Sequence, residues 1–223
     1  MYISYKNGKE YLLEYDDIAH TYKVNDVKIP SVTRIIDACF EKNLTNWAIS
    51  IGDVEYHRII AEALEIGNDT HEWIEKYIDK GRGVVGTYNC SVGAFLAWEE
   101  EFKPEWIDSE RKVYCDRYKY AGTVDAVAKI NGRVCVIDFK TSKKIYKPYH
   151  LQVTAYAQAI KRIDGLRQWP LGIILRLDKL TGEYEQKVFE PKVHFDTFKK
   201  CLELRQWSSI RVKNDKDKLE KTK

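Results

Sequence analysis

The sequence predicts an α/β fold, a central mixed β-sheet flanked by helices, with a helical elaboration ahead of it. Three observations predict it. Apolar, β-branched runs between Ser109 and Thr141 alternate with a two-residue turn, Asn131-Gly132. Helical periodicity precedes this region and returns directly after it, over Tyr149 to Ile163. Two further strand-like runs, Gly172 to Asp178 and Tyr184 to Phe189, then come before a closing helix, so that strands and helices interleave.

Each element has a local reason. Tyr11 to Tyr15, His20 to Val24 and Val27 to Ile29 are short strands, with Asn25-Asp26 as a turn. Pro30-Ser31 marks a helix start, and Ser31 is the expected cap for Val32 to Phe40. Helical patterns follow over Leu44 to Ile51, Val54 to Leu64, Asp69 to Ile78 and Val92 to Phe102, where Pro104 ends the run. The period then changes to two, giving strands at Arg111 to Cys115, Tyr120 to Ile130 and Arg133 to Thr141. A last helix is expected from His194 to Ser209. The layout divides into N-terminal strands and helices over 1–107, a sheet-bearing core over 108–212 and a charged, disordered tail over 213–223.

The chain has 223 residues, enough to bury an ordinary core without disulfide or metal staples. Its five cysteines are an odd number and form no CxxC, which suits thiols in a reducing compartment. No apolar run reaches membrane-spanning length and the N-terminus lacks a signal-peptide stretch, so a soluble, cytoplasmic protein with no membrane partner is expected. A net charge of +3 says little about nucleic acid. Six Trp and fifteen Tyr, interleaved with Lys and Arg, say more, because such rings stack on unpaired bases.

The chemistry concentrates on the predicted hairpin. Asp125 lies in Gly122-Thr123-Val124-Asp125, and Asp138 and Lys140 in Val136-Ile137-Asp138-Phe139-Lys140. Residues two apart on a strand share a face, so Asp138 and Lys140 point together, and pairing brings Asp125 beside Asp138. Crowded carboxylates repel unless a cation neutralises them, and a hard oxygen site suits Mg²⁺ or Mn²⁺ between protein and phosphate. Gly122 would let the backbone approach a ligand. His71, on an amphipathic helix, could reach the ion. Gln152 and Tyr156 lie one helical turn apart on the following helix.

Gly122-x-x-Asp125, Asp138-x-Lys140, the upstream His71 and Gln152-x-x-x-Tyr156, in this order and spacing, resemble the RecB-like branch of the PD-(D/E)XK nucleases, whose core is restriction endonuclease-like. Val136 to Ser142 followed by Leu151 to Ala157 looks especially similar to the mitochondrial genome maintenance exonuclease family and its phage and bacterial relatives, and Ile29 to Thr33 to the segment that opens those proteins. The resemblance implies a metal-dependent exonuclease that hydrolyses single-stranded DNA by attack of a metal-activated water, in a bacterial or phage-infected cell. It implies that Asp125, Asp138 and the Phe139 carbonyl ligate the metal, with His71 as a further ligand. Lys140 would orient or deprotonate the water and stabilise the developing phosphorane charge, while Gln152 and Tyr156 position the water or strand. Glu110 matches an acidic position seen in some relatives. Val124 stands where the superfamily's name has proline, as is normal in this branch. No iron–sulfur cluster is expected, since only Cys201 follows the catalytic region where clustered relatives carry three.

Two rivals stand beside this reading: a structure-specific endonuclease on the same fold, and a DNA-binding module that has lost cleavage. Helices between Ser31 and Phe102 carry Arg34, Lys42, Trp47, Tyr56, Arg58, Trp73 and Lys76, a mix of cations and rings expected to arch over the hairpin and thread a single strand. Whether a helicase or recombination protein delivers that strand is left open.

Overall fold

A computed structural model describes residues 1–16, 19, 21–40, 49–81 and 88–209. Four short strands come first: β1 (Tyr2–Ser4), β2 (Glu10–Asp16), β3 (Thr21–Val24) and β4 (Val27–Ile29) pair in that order as an antiparallel sheet. Asn25 and Asp26 turn the chain between β3 and β4 at φ of 47° and 65°, a left-handed pair that Asn and Asp tolerate best after glycine. Helix α1 (Val32–Asp37) follows, capped by Ser31, whose hydroxyl accepts from the Arg34 N–H.

Helix α2 runs unbroken from Asp53 to Lys80. The sequence pattern gives two helices here, Val54 to Leu64 and Asp69 to Ile78. The structure joins them, and at Gly67 the helix passes the end of a strand, where a β-carbon would stand in ordinary contact, 3.5 Å, with Thr141 Oγ1. Helix α3 (Cys90–Phe102) is capped by Asn89 and ends at Lys103 in the left-handed region.

Five strands then form the main sheet in sequence order: β5 (Glu105–Cys115), β6 (Tyr120–Ile130), β7 (Arg133–Lys140), β8 (Leu171–Leu177) and β9 (Tyr184–Phe189). Every neighbouring pair is antiparallel except β7 and β8. That parallel pair demands a crossover, supplied by helix α4 (Lys147–Ile163), which starts two residues before its predicted onset with Pro148 in its first turn. Between β6 and β7 the turn is Asn131-Gly132, at φ of 49° and 76°. A short 3₁₀ turn (Pro191–His194) leads into helix α5 (Phe195–Ser208). The mixed sheet flanked by helices thus matches the predicted class, with β1 and the first six residues of β5 as additions.

Two cores sandwich the main sheet. On one face α2 and α3 contribute Trp73, Ile74, Tyr77, Phe95 and Trp98, packed on Ile137, Phe139 and Leu175. On the other, Val136, Ile174 and Val127 meet α4, α5, α1 and the small N-terminal sheet through Ile3, Leu13 and Tyr22. Full burial of each large side chain is worth roughly 1.5–3 kcal/mol. Polar contacts lock the small sheet in place: the Tyr5 hydroxyl donates to the Tyr114 carbonyl and accepts from the Asp116 N–H at 2.9 Å.

Candidate active site

Strand pairing assembles the site. The register Ala126↔Ile137 carries Asp125 to a position facing Asp138, one step further along the hairpin. The Phe139 N–H donates to Asp125 Oδ2 at 2.8 Å and so orients that carboxylate. Asp138 is fully buried, with Lys140 Nζ 2.8 Å from Oδ2 as an ion pair rather than a well-directed hydrogen bond. Its Oδ1 has no hydrogen-bond partner among the described residues. A dry carboxylate with an unanswered oxygen is costly unless something cationic meets it.

A third carboxylate arrives by strained backbone. Glu110 lies in β5 between Ser109, paired with Ala126, and Arg111, paired with Val124, and so stands across from Asp125. Its φ is +43°, a region that side chains larger than glycine rarely occupy in a strand. On the partner strand the strict in–out alternation fails at the same level: Val124 packs with the core on one face and Ala126 with the other. Strain at this point turns Glu110 towards His71, whose Nδ1 is 3.9 Å from Glu110 Oε1 and 3.8 Å from Asp125 Oδ2. The ligand atoms of His71, Glu110 and Asp125 all lie within 4.8 Å of one another. His71 comes from α2 one turn beyond Gly67, so the close passage of that helix over Thr141 delivers the imidazole.

Charge states follow from burial set against charge. Burial lifts the Asp138 carboxyl to about 6, aided by Asp125 and opposed by Lys140. Burial alone would depress His71, yet Asp125 and Glu110 outweigh it and its net shift is upward. Burial likewise disfavours the charged form of Lys140, and Asp138 and Asp125 reverse that too. Lys140 is therefore held protonated. This suits orientation of water and stabilisation of phosphorane charge.

Gln152 and Tyr156 stand on α4 beneath the hairpin, joined by a 3.4 Å hydrogen bond from Gln152 Nε2 to the Tyr156 hydroxyl. Burial, then the charges of Asp125 and Asp138, push the Tyr156 phenol well up, so it stays neutral. Gly122 has a different use from the one its spacing suggests. A β-carbon there would stand 2.6 Å from Tyr156 Cε1, so its missing side chain admits the Tyr156 ring.

The helical residues expected to hold DNA fare unevenly. Arg34 is exposed and donates to the Ala19 carbonyl at 3.1 Å. Arg58 is exposed and paired with Glu55 and Glu62 on its own helix. Lys76 is paired with Glu72 in the same way. Trp73 is a core residue, 8% exposed and stacked on Tyr77 at 5.3 Å, because it lies on the apolar stripe of α2 and presents no face to a base. Lys42, Trp47 and the tail over 213–223 lie outside the described residues. Glu75, one turn after His71, had no signal in sequence; burial and the Glu110 charge raise its carboxyl.

The donor set of one imidazole and converging carboxylates fits a hard or borderline divalent ion. Together with a lysine on the next strand and a mixed sheet flanked by helices, it defines a nuclease of the restriction-enzyme type. Residues 86–216 match the family model described as PD-(D/E)XK nuclease superfamily, and the chain belongs to that superfamily. It is similar to mitochondrial genome maintenance exonuclease 1 of Mus musculus, 27% identical over 149 residues, which is 59% of this chain and 44% of that protein. The chain thus spans less than half the length of that relative. Among solved structures it is similar to "Crystal structure of SSO0001", with a TM-score of 0.44 at 14% identity, covering 81% of this chain and 76% of that one. His71 precedes the residues matched by the family model, so its place in the site rests on geometry alone.

Proposed function

We propose that the chain is a Mg²⁺- or Mn²⁺-dependent deoxyribonuclease that removes nucleotides from the ends of single-stranded DNA. The observation that carries this reading is the convergence of His71, Glu110 and Asp125 beside the buried Asp138–Lys140 pair. His71, Glu110 and Asp125 would hold the ion, with Asp138 at its buried flank. A divalent ion held there would neutralise the carboxylates and supply Lewis-acid polarisation of the scissile phosphodiester.

The chain's own residues do the rest. The Phe139 N–H fixes Asp125, and Asp138 fixes Lys140, so neither group must reorganise when the phosphate arrives. Lys140 offers its ammonium to the charge that builds on the phosphoryl oxygens. Tyr156, neutral and held by Gln152, bounds the site from below. Support for an exonuclease comes from the relative named above. Support for a single strand comes from the N-terminal half of α2, which up to Ile66 has no buried residue and carries rings and cations, such as the half-buried Tyr56 and the exposed Arg58, that suit a flexible strand.

The test uses end-labelled linear and circular single strands and blunt duplex, each with Mg²⁺, Mn²⁺ or EDTA. Release of label from linear single strands with either metal, and from nothing with EDTA, is the expected result. Cutting of circles would replace this reading with an endonuclease. Metal-independent binding without cutting would replace it with a non-catalytic DNA-binding module.

A further inference from the structure

A cleft of about 470 Å³ opens against the site from the side of the N-terminal sheet. Glu110 and Tyr156 line it, so it is continuous with the groups already described. Its other walls include Tyr15 from β2, Thr33 from α1, Glu75 from α2, and Lys112 and Thr123 from the main sheet. Lys112 Nζ stands 5.3 Å from the Tyr15 ring centroid, and Thr123 Oγ1 is fixed by the Tyr22 hydroxyl at 2.8 Å. The volume lies within the ~300–1,000 Å³ range of small-ligand sites.

We propose that this cleft receives the base of the nucleotide next to the scissile phosphate, flipped out of the strand and held between Tyr15, Thr33 and Thr123, with Lys112 on the adjoining phosphate. The inference rests on the nuclease reading and deepens it, because it states what selects the strand. A base enters such a cleft only out of the stack, which costs least when it has no pairing partner, so an unpaired strand is favoured over duplex at the site itself. The walls offer a ring, hydroxyls, an ammonium and the carboxylates of Glu75 and Glu110, so a base is held by stacking together with hydrogen bonds to its polar edge.

The experiment measures equilibrium binding of short single strands carrying one abasic nucleotide at each position in turn, in EDTA so that nothing is cut. For the wild type, one position gives a loss of affinity of about tenfold, the size expected of a lost stacking contact. In Tyr15→Ala that positional loss disappears, and in Tyr15→Phe it returns, while the salt dependence of binding is the same in all three. Thr33→Trp, at an exposed position on the cleft wall, fills the space without touching the core and also removes the positional loss. An undiminished positional loss in both Tyr15→Ala and Thr33→Trp overturns the cleft assignment while cleavage of linear strands persists. Absence of DNA binding and cleavage in the wild type overturns the nuclease reading and the cleft with it.

Discussion

Asp138 has Val136 and Ile137 before it and Phe139 after it, all buried, and is itself fully buried. Such a carboxylate contributes nothing to packing that an amide of the same shape would not. Asp138→Asn and Asp125→Asn are therefore expected to lower cleavage by roughly a hundredfold or more. Circular dichroism and thermal midpoint should stay within the range of the wild type, since the asparagine oxygen at 125 still accepts the Phe139 N–H. Either variant digesting linear strands at the wild-type rate would dissolve the site as described. His71 differs in kind from the carboxylates. Imidazole favours the softer ion, so His71→Ala should weaken Mn²⁺ more than Mg²⁺ in calorimetric titration. Equal titration curves for wild type and variant would return His71 to an ordinary helix residue.

Among the elements, the β5–β6–β7 meander was the most legible. Asn131-Gly132 and β-branched runs on either side leave few alternatives to a hairpin, and β6 runs over the residues its pattern indicates. The continuity of α2 was not legible, because the pattern between Leu64 and Asp69 is weak and the helix is held by packing that begins only at Thr70. Glu110 was placed by resemblance, but nothing in its neighbours announces a left-handed φ within a strand. Trp73 was misjudged for a general reason: an aromatic among cations looks the same whether the helix turns it to solvent or to the core. Gly122 carries an element-scale prediction. Gly122→Ala would force a β-carbon against the Tyr156 ring and Val32, both boxed in by the core, and is expected to cost about 1–3 kcal/mol by urea unfolding. An unchanged urea midpoint would show that α4 shifts freely over β6.

The β8–β9 connection responds to acid for a stated reason. The N–H groups of Thr181 and Leu180 and the Arg176 guanidinium hold the Asp178 carboxyl well below the carboxylate range. Asp178 therefore stabilises the fold fully above its unfolded value near 4, and that contribution is lost as pH falls through the folded one. Replacing it, as in Asp178→Ala, should lower stability at pH 7 and shrink the difference from wild type towards pH 2. A gap that stays constant with pH would contradict this account.

At the level of the whole molecule, the small N-terminal sheet and the main sheet share one apolar cluster, from Ile3 and Leu13 to Phe198 and Leu202. Removal of the first thirty residues would expose this cluster and strip Tyr114 and Asp116 of Tyr5. The shortened chain is expected to lose cooperative unfolding and bind a hydrophobic dye, rather than persist as an independent nuclease core. A sharp thermal transition from the truncated chain would show that the sheets are separable.

Tyr5 also places a clock on assembly. Its contacts to Tyr114 and Asp116 span 109 and 111 residues. At synthesis rates of about 5–20 residues per second, the N-terminal strands wait on the order of ten seconds for the hairpin that completes them. During that interval β1 to β4 hold their apolar side chains without a surface to cover, and their closure is one of the slow, non-local steps that limit folding rates. Newborn chains are therefore most exposed to self-association in that interval, before Asp125, Asp138 and Lys140 have been made.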